Sequence, residues 1–314
     1  MPTDTSISSV LRAPLAAVAD EGLAGRDLPT IVAVKPVGDG RFTGPCHDIG
    51  TPSVYGGLVL AQAVMAARAT LPAQGELHSL HAYFLSLGVQ APIDYAVERL
   101  RDGKNYSARR VTASQSGGVI FEATVSAQVP EPGMDAHPPQ PAVVGPSGLQ
   151  SETAYRAQTA EQWPVHQRAL RLAPLGIEYR RETPLDMLNP VRAEGPTRIW
   201  LKACQNLPGD MALHQALLAY ASDHGLLVTA IAPYPLSLAR GEVRLASLDH
   251  TLWFHRPFRM DDWLLYVVEC RNIGGGRALC KGEFFQQGRL VASVAQEGLM
   301  RVAPAAQARQ PVAA

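Results

Sequence analysis

The sequence predicts an α+β protein made by tandem duplication: two long helices, each wrapped by an antiparallel sheet, with the two sheets joined side by side. Three observations carry that prediction. Two runs, YGGLVLAQAVMAARATLP (55–72) and HQALLAYASDHG (214–225), are too continuously small and apolar for solvated helices and read as buried ones. Strand-like segments bounded by Gly or Pro follow each run, the pattern of an antiparallel sheet. The two sets of strands also overlay at one spacing. Tyr95-Ala-Val-Glu98 matches Tyr266-Val-Val-Glu269, and Gln115-Ser-Gly117 matches Gln286-Gln-Gly288, both 171 residues apart.

The elements follow in order. Residues 1–30 read as a loose N-terminal segment with a short helix. The first unit spans 31–130. IVAVKP and GRFTG are strands meeting at the turn VGDG, and the first long helix comes next, closed by Pro72. LHSLHAYFL, IDYAVERLRDG, NYSARRVTASQSGG and VIFEATVSAQV are its remaining strands. Residues 131–172 form a linker, rich in Pro and Gly through PEPGMDAHPPQPAVVGPSG (131 falls just inside this run), then a helix headed by Ser151 in SETAYRAQTAEQW. The second unit, 173–303, repeats the first: TRIWLKAC as a strand, the second long helix, then VRLASLDHTLWFH, WLLYVVECRN, RALCKGEFFQQG and RLVASVAQEGLMR as strands. Residues 304–314 read as a disordered tail.

Composition removes several classes of function. Lys+Arg and Asp+Glu balance at 28 each, so no bulk field favours nucleic acid or an anionic membrane. The four cysteines lie far apart without metal-ligand spacing, which suits a reduced compartment and argues against structural zinc. Every apolar run is interrupted before membrane-spanning length, and the N-terminus lacks a secretory pattern. With no C-terminal SKL and an Ala/Arg-rich composition, a bacterial cytoplasm is the expected location. There is no GxSxG, HExxH or Walker sequence, and the glycines of GDGRFTG (38–44) are wrongly spaced for a dinucleotide. No metal and no redox cofactor is expected.

One acid stands out. Asp223 closes the second long helix inside ALLAYASDHGLLVTA (216–230), among residues that otherwise read as core. A carboxylate at a helix C-terminus opposes the macrodipole, so it needs either backbone partners or a task. Gly225 is the candidate for the turn that ends the helix. Alternation along VASVAQ puts Ala292, Val294 and Gln296 on one face, which leaves an amide on an apolar surface in need of partners. Ser247 lies mid-strand and is unremarkable alone. Asp249 and His250 are adjacent in a strand and point to opposite faces; Asp249 is read as structural, and His250 is left open.

The motifs themselves point further. LDHTLWFHRPFRMDDWLLYVVE (248–269) and KGEFFQQGRLVASVAQEGLMR (281–301) closely resemble the type II acyl-CoA thioesterases. So do VYGGLVLAQAV (54–64), HSLHAYFL (78–85) and LRDGKNYSARRV (100–111) in the first half. The resemblance implies a tandem, or double, hotdog fold. It also implies hydrolysis of medium- to long-chain fatty acyl-CoA to fatty acid and CoA by a water that an Asp, a Ser/Thr hydroxyl and a Gln orient. The Asp of YASD becomes Asp223, the hydroxyl two residues before the DH pair becomes Ser247, and the Gln of QEG becomes Gln296; Ser stands here where many relatives carry Thr.

Under the same resemblance, Arg101, Lys104 and Arg109 in RDGKNYSARR are candidates to meet the phosphates of the acyl-CoA substrate, although a solvated hairpin accounts for them equally well. Gly57 offers a backbone N–H to a carbonyl oxygen, and tight helix packing explains it as readily. Arg256 is read as the partner of a nearby carboxylate. A homodimer or larger homo-oligomer is expected. Two other readings remain. A hotdog enoyl-CoA hydratase would resemble D-x-N-P-x-H, but Asp186-Met-Leu-Asn189-Pro190-Val-Arg192 lacks the histidine. A non-catalytic acyl-CoA-binding protein would bind without releasing thiol.

Overall fold

The computed structural model describes residues 27–307 except 48, 50–52, 164, 166, 167, 169–171 and 173–175. The expectations for residues 1–26 and 308–314 lie outside the described residues. Helix α1 (Leu28–Val32) precedes β1 (Lys35–Gly38) and β2 (Arg41–Gly44). The expected strand IVAVKP therefore begins later than its β-branched residues suggest. Asp27 and Pro29 start a helical turn there, because proline's fixed φ suits a first turn. Next come α2 (Gly56–Arg68), β3 (Glu76–Phe84), β4 (Ile93–Asp102), β5 (Tyr106–Gln115) and β6 (Gly118–Gln128). Nearly all of α2 is buried, Gln62 included, as the even apolar character of its sequence requires. Gln62 is accommodated by donating to the Ile31 and Pro45 carbonyls (3.0 and 2.8 Å) and accepting from Tyr95 Oη (2.8 Å).

The second unit holds β7 (Ile177–Arg181), β8 (Thr197–Ala203), a second long helix, and β9 to β13. Helix α3 (Glu152–Thr159), capped by Ser151 as expected, lies before it. The long helix, α4 (Met211–Ser222), begins at Asp210, whose carboxylate accepts from Ala212 N (3.1 Å). Strands β9 (Val243–Ser247), β10 (Asp249–Phe254), β11 (Leu264–Gly274), β12 (Arg277–Gln286) and β13 (Arg289–Val302) complete the sheet. The tail differs from expectation at its start: Pro304–Gln307 form a helical turn, α5, that buries Ala306.

All pairings are antiparallel, in the order β1-β2-β4-β5-β6-β3-β10-β13-β12-β11-β8-β7, with β9 beside β13. The order reads the same outward from the β3–β10 junction in both directions, which is the duplication made visible. The junction obeys it residue by residue: Leu80 pairs with Leu252 and His81 with Thr251, and a shift of 171 exchanges the two pairs. No helix among the described residues is long and apolar enough to cross a membrane. The proline-rich linker has little regular structure but is tied down. Asp135 accepts from Arg256 and from Arg289 Nη2 (2.7 Å), and Trp200 Nε1 donates to the Val144 carbonyl (2.8 Å).

Arg109 departs from its expected role. Its side chain is 1% exposed, and its donors are all engaged within the protein. Nε donates to Thr70 Oγ1 (2.9 Å), Nη2 to the Thr70 carbonyl (2.9 Å) and Asp102 (2.6 Å), and Nη1 to the carbonyls of Arg101 (3.0 Å) and Ala108 (2.9 Å). Five donors consumed leave none for a phosphate; the guanidinium ties the β4–β5 hairpin to the turn after α2. Arg109→Met is expected to lower stability by about 2–4 kcal/mol through the buried acceptors it strands. Thermal unfolding should show the loss, while hydrolysis below the melting temperature stays near that of the unsubstituted protein.

Candidate active site

The two long helices meet where α4 ends and α2 begins. Gly57 N donates to Asp223 Oδ2 (2.9 Å), and Tyr55 Oη donates to the Tyr220 carbonyl (2.8 Å). Contact this close excludes side chains. A Cβ on Gly57 would sit 2.3 Å from the Tyr220 carbonyl oxygen, and one on Gly56 2.9 Å from Asp223 Oδ2. The Gly57 N–H is thus committed to Asp223 and does not face a substrate carbonyl, so tight helix packing is the reason for the glycine pair. The arrangement also resolves the apparent misplacement of Asp223. The end of its own helix costs an anion about 0.3–1 kcal/mol. A hydrogen bond to a charged group returns about 1.5–3 kcal/mol, and it comes from the favourable end of the neighbouring helix. Gly225 takes the left-handed turn (φ 78°), one position later than a C′ glycine.

Gln296 reaches the same point from β13. Its side chain is fully buried, and its Nε2 donates to Asp223 Oδ1 (3.1 Å) and to Ser247 Oγ (2.5 Å). One amide nitrogen therefore holds the carboxylate and the hydroxyl together, and Asp223 and Ser247 are each only half-buried. The three residues named from sequence come together.

A break in the strand brings Ser247 in. VRLASLDHTLWFH reads as one strand, but β9 and β10 run along the same edge of β13 in registers that differ by one. Ser247 is opposite Gly298, whereas Thr251 is opposite Ala295. The extra residue is Leu248, whose N–H goes to the Glu297 carbonyl (3.0 Å) and whose carbonyl accepts from Phe84 N (2.9 Å). Simple alternation would put Ser247 and His250 on opposite faces. The bulge reverses the phase, so both face the helices. Asp249 turns the other way and accepts from Glu297 N (2.6 Å), a structural contact. His250 is fully buried, with Nε2 2.9 Å from Ser222 Oγ. Burial pushes its imidazole down to about 4, against the opposing pull of Asp223 and of the Gln296 side chain, so the ring is neutral at neutral pH.

Sequence reasoning missed the brace behind Asp223. His224 stacks on Tyr179 (4.3 Å between centroids) and approaches Glu152 Oε1 (3.3 Å). Glu152 also pairs with Arg181 Nε (3.0 Å) and with Arg156. Burial alone would raise the Glu152 carboxyl, yet its partners hold it well below the usual range. Burial lowers His224, with Arg181 and Arg156 acting in the same sense and Glu152 opposing them, while His224, Arg181 and Arg156 together hold the Glu152 carboxyl down. The only sequence signal for this cluster is Glu152 directly after the Ser151 cap.

A cleft of about 140 Å³ opens beside the site. Arg181 and Gly225 border it, and Val228, Ile231, Leu236 and Leu238 supply apolar lining; Asp223, Ser247 and Gln296 are not among its walls. Arg101 and Lys104 are exposed at the β4–β5 hairpin, by the far end of α2. With 13 residues, that helix puts them about 20 Å from Asp223.

Family models match both halves of the chain. Residues 178–299 match the family described as acyl-CoA thioesterase, and residues 42–128 match the acyl-CoA thioesterase N-terminal domain. Acyl-CoA thioesterase 2 of Haemophilus influenzae is 36% identical over 273 residues, 86% of this chain and 96% of that protein. Human acyl-coenzyme A thioesterase 8 is 32% identical over 286 residues, 88% of this chain and 89% of that protein. The crystal structure of an acyl-CoA thioesterase II from Mycobacterium marinum superposes with a TM-score of 0.71 at 34% identity, covering 90% of this chain and 99% of that one. The chain belongs to the type II acyl-CoA thioesterase family, and its fold is the double hotdog.

Proposed function

We propose that this thioester hydrolase cleaves medium- to long-chain fatty acyl-CoA through a water oriented by Asp223, Ser247 and Gln296. The observation that carries the reading is the Gln296 amide, which joins Asp223 and Ser247 through one nitrogen at 3.1 and 2.5 Å. Ser247 Oγ accepts from Gln296, and this leaves its own hydrogen free to donate to a water. Asp223 accepts from Gly57 and Gln296, so its carboxylate is fixed in position and stays half-exposed. The water oxygen attacks the thioester carbonyl carbon while Asp223 takes its proton. Collapse of the tetrahedral intermediate breaks the C–S bond, and the same proton passes to the departing CoA sulfur. The acyl chain is assigned to the apolar wall beyond Gly225.

Thiol release across acyl lengths tests this directly. Asp223→Asn is expected to lower kcat at least about a hundredfold, as loss of a general base does. Wild-type turnover by that variant would remove Asp223 from the reaction. Hydration of an enoyl-CoA without thiol release would favour the hydratase reading, and stoichiometric binding without turnover the binding-protein reading.

Arg101 and Lys104 suit the phosphates of CoA. The pantetheine arm separates those phosphates from the thioester, and the hairpin stands one helix length from Asp223. Replacing both residues by alanine should raise KM for acyl-CoA several-fold with kcat unchanged, and leave KM for the corresponding acyl-pantetheine unaltered. An equal rise for both substrates would take the two cations out of phosphate binding.

A further inference from the structure

We infer that Cys270 and Cys280 form a redox switch: a peroxide joins them as a disulfide, and the pull on Cys280 loosens the hold of Gln296 on Asp223 and Ser247. The loss of turnover rests on the place of Gln296 in the reading just given; formation of the disulfide does not.

Three residues stand in one row across three strands. Cys270 of β11 is the register partner of Cys280 of β12, and Cys280 is the register partner of Gln296 of β13. Residues directly opposite each other share a face of the sheet. For this row it is the face towards the helices, where Gln296 and Cys280 are both fully buried. Cys270 is only half-buried, and both thiols are free. The register slips directly after Cys270, and its Sγ lies 3.6 Å from the Asn272 carbonyl oxygen. The strand bends there, and the bend leaves the outer of the two thiols within reach of a small solute. Burial pushes the Cys280 thiol up to about 12, and the Cys270 sulfur adds to the rise through its charge and a hydrogen bond.

Facing residues of an antiparallel pair have Cα atoms about 4.5–5.5 Å apart, inside the span of about 4.4–6.8 Å that a disulfide bridges. The co-reactant is hydrogen peroxide. The Cys270 sulfur attacks one peroxide oxygen and the O–O bond breaks. Water leaves, and Cys270 is now a sulfenic acid. The Cys280 sulfur then attacks the Cys270 sulfur and the S–O bond breaks. The hydroxyl departs as a second water with the Cys280 proton. The two thiols are oxidised to one disulfide, and the peroxide is reduced to water.

The new bond draws the two Cβ atoms from about 4.5–5.5 Å to about 3.8 Å. Because β12 lies between β11 and β13, Cys280 moves away from Gln296. A gap beside a buried amide forfeits its contacts on that side, and the side chain shifts to recover them. The Gln296 bonds to Asp223 (3.1 Å) and Ser247 (2.5 Å) then lose their alignment. Misplacement on this scale is enough to cost an enzyme tenfold or more.

Treatment with hydrogen peroxide, followed by peptide mapping and thiol-release kinetics, tests the switch. The expected result is a peptide linking Cys270 to Cys280, a fall in kcat of about tenfold or more, and recovery on adding dithiothreitol. Protein carrying Cys46→Ser and Cys204→Ser should respond in the same way. Cys270→Ser and Cys270→Ala should turn over normally before treatment and keep their kcat through it. The inference is overturned if no linked peptide forms under peroxide that oxidises the exposed Cys204, if the link forms and kcat is unchanged, or if the Cys270 variants are inactivated equally. Should Gln296→Ala turn over normally without peroxide, it is the reading of the water site that fails, and the linked peptide still reports the disulfide.

Discussion

Everything at the site depends on one contact: the carboxylate of Asp223, at the end of α4, accepting the backbone N–H of Gly57 at the start of α2. It demands that two buried helices approach until a carbonyl of one touches the Cα of the other, which is why Gly57 has no room for a Cβ. In return it seats the Asp223 carboxylate against a backbone N–H, where the two helices meet. The second carboxylate oxygen is then left for Gln296, and that bond fixes the height of Asp223 relative to the sheet. A shift of α4 by an ångström would undo both bonds and a shift of α2 the first, so the helix pair and β13 hold Asp223 as one frame.

Duplication supplied the frame twice, but the cluster of Asp223, Ser247 and Gln296 sits in one copy. At the 171-residue spacing, Val125 stands where Gln296 does, and Arg109 where Cys280 does. Those pairs face each other across matching strands, Arg109 with Val125 and Cys280 with Gln296. In the first unit the guanidinium turns inward and secures the end of α2. In the second, a small thiol beside Gln296 leaves the amide free to turn to Asp223. The second unit also has a longer passage from helix to sheet, residues 223–248, and this passage carries β9 and Ser247. One substitution pattern and one insertion thus separate the copy that carries this cluster from the copy that does not.

Much of this was legible in the sequence because it rests on patterning. Continuous apolar runs gave buried helices, and the repeated spacing gave a doubled sheet whose junction register follows it. The resemblance located Asp223, Ser247 and Gln296. What could not be read were features that depend on a single residue of register or on a contact between distant segments. The bulge at Leu248 has no compositional mark, yet it decides that Ser247 and His250 share a face. Arg109 looks like any loop cation until its five acceptors are in place. Gly57 was ambiguous between a task for its N–H and close packing, and the structure has both: the N–H goes to Asp223, and the Tyr220 carbonyl leaves no room for a Cβ. The Glu152–Arg181–His224 brace joins α3, β7 and the turn after α4, segments that nothing in the chain connects in advance.

The central claim is that water, held by fixed side chains, attacks the thioester directly. A single turnover with enzyme in excess, run in H₂¹⁸O, tests it most directly. The account predicts one ¹⁸O in the fatty acid released and none in the peptide containing Asp223. Label appearing in the Asp223 carboxylate would mean that the side chain itself attacks and forms an anhydride, and the account of an oriented water would be wrong.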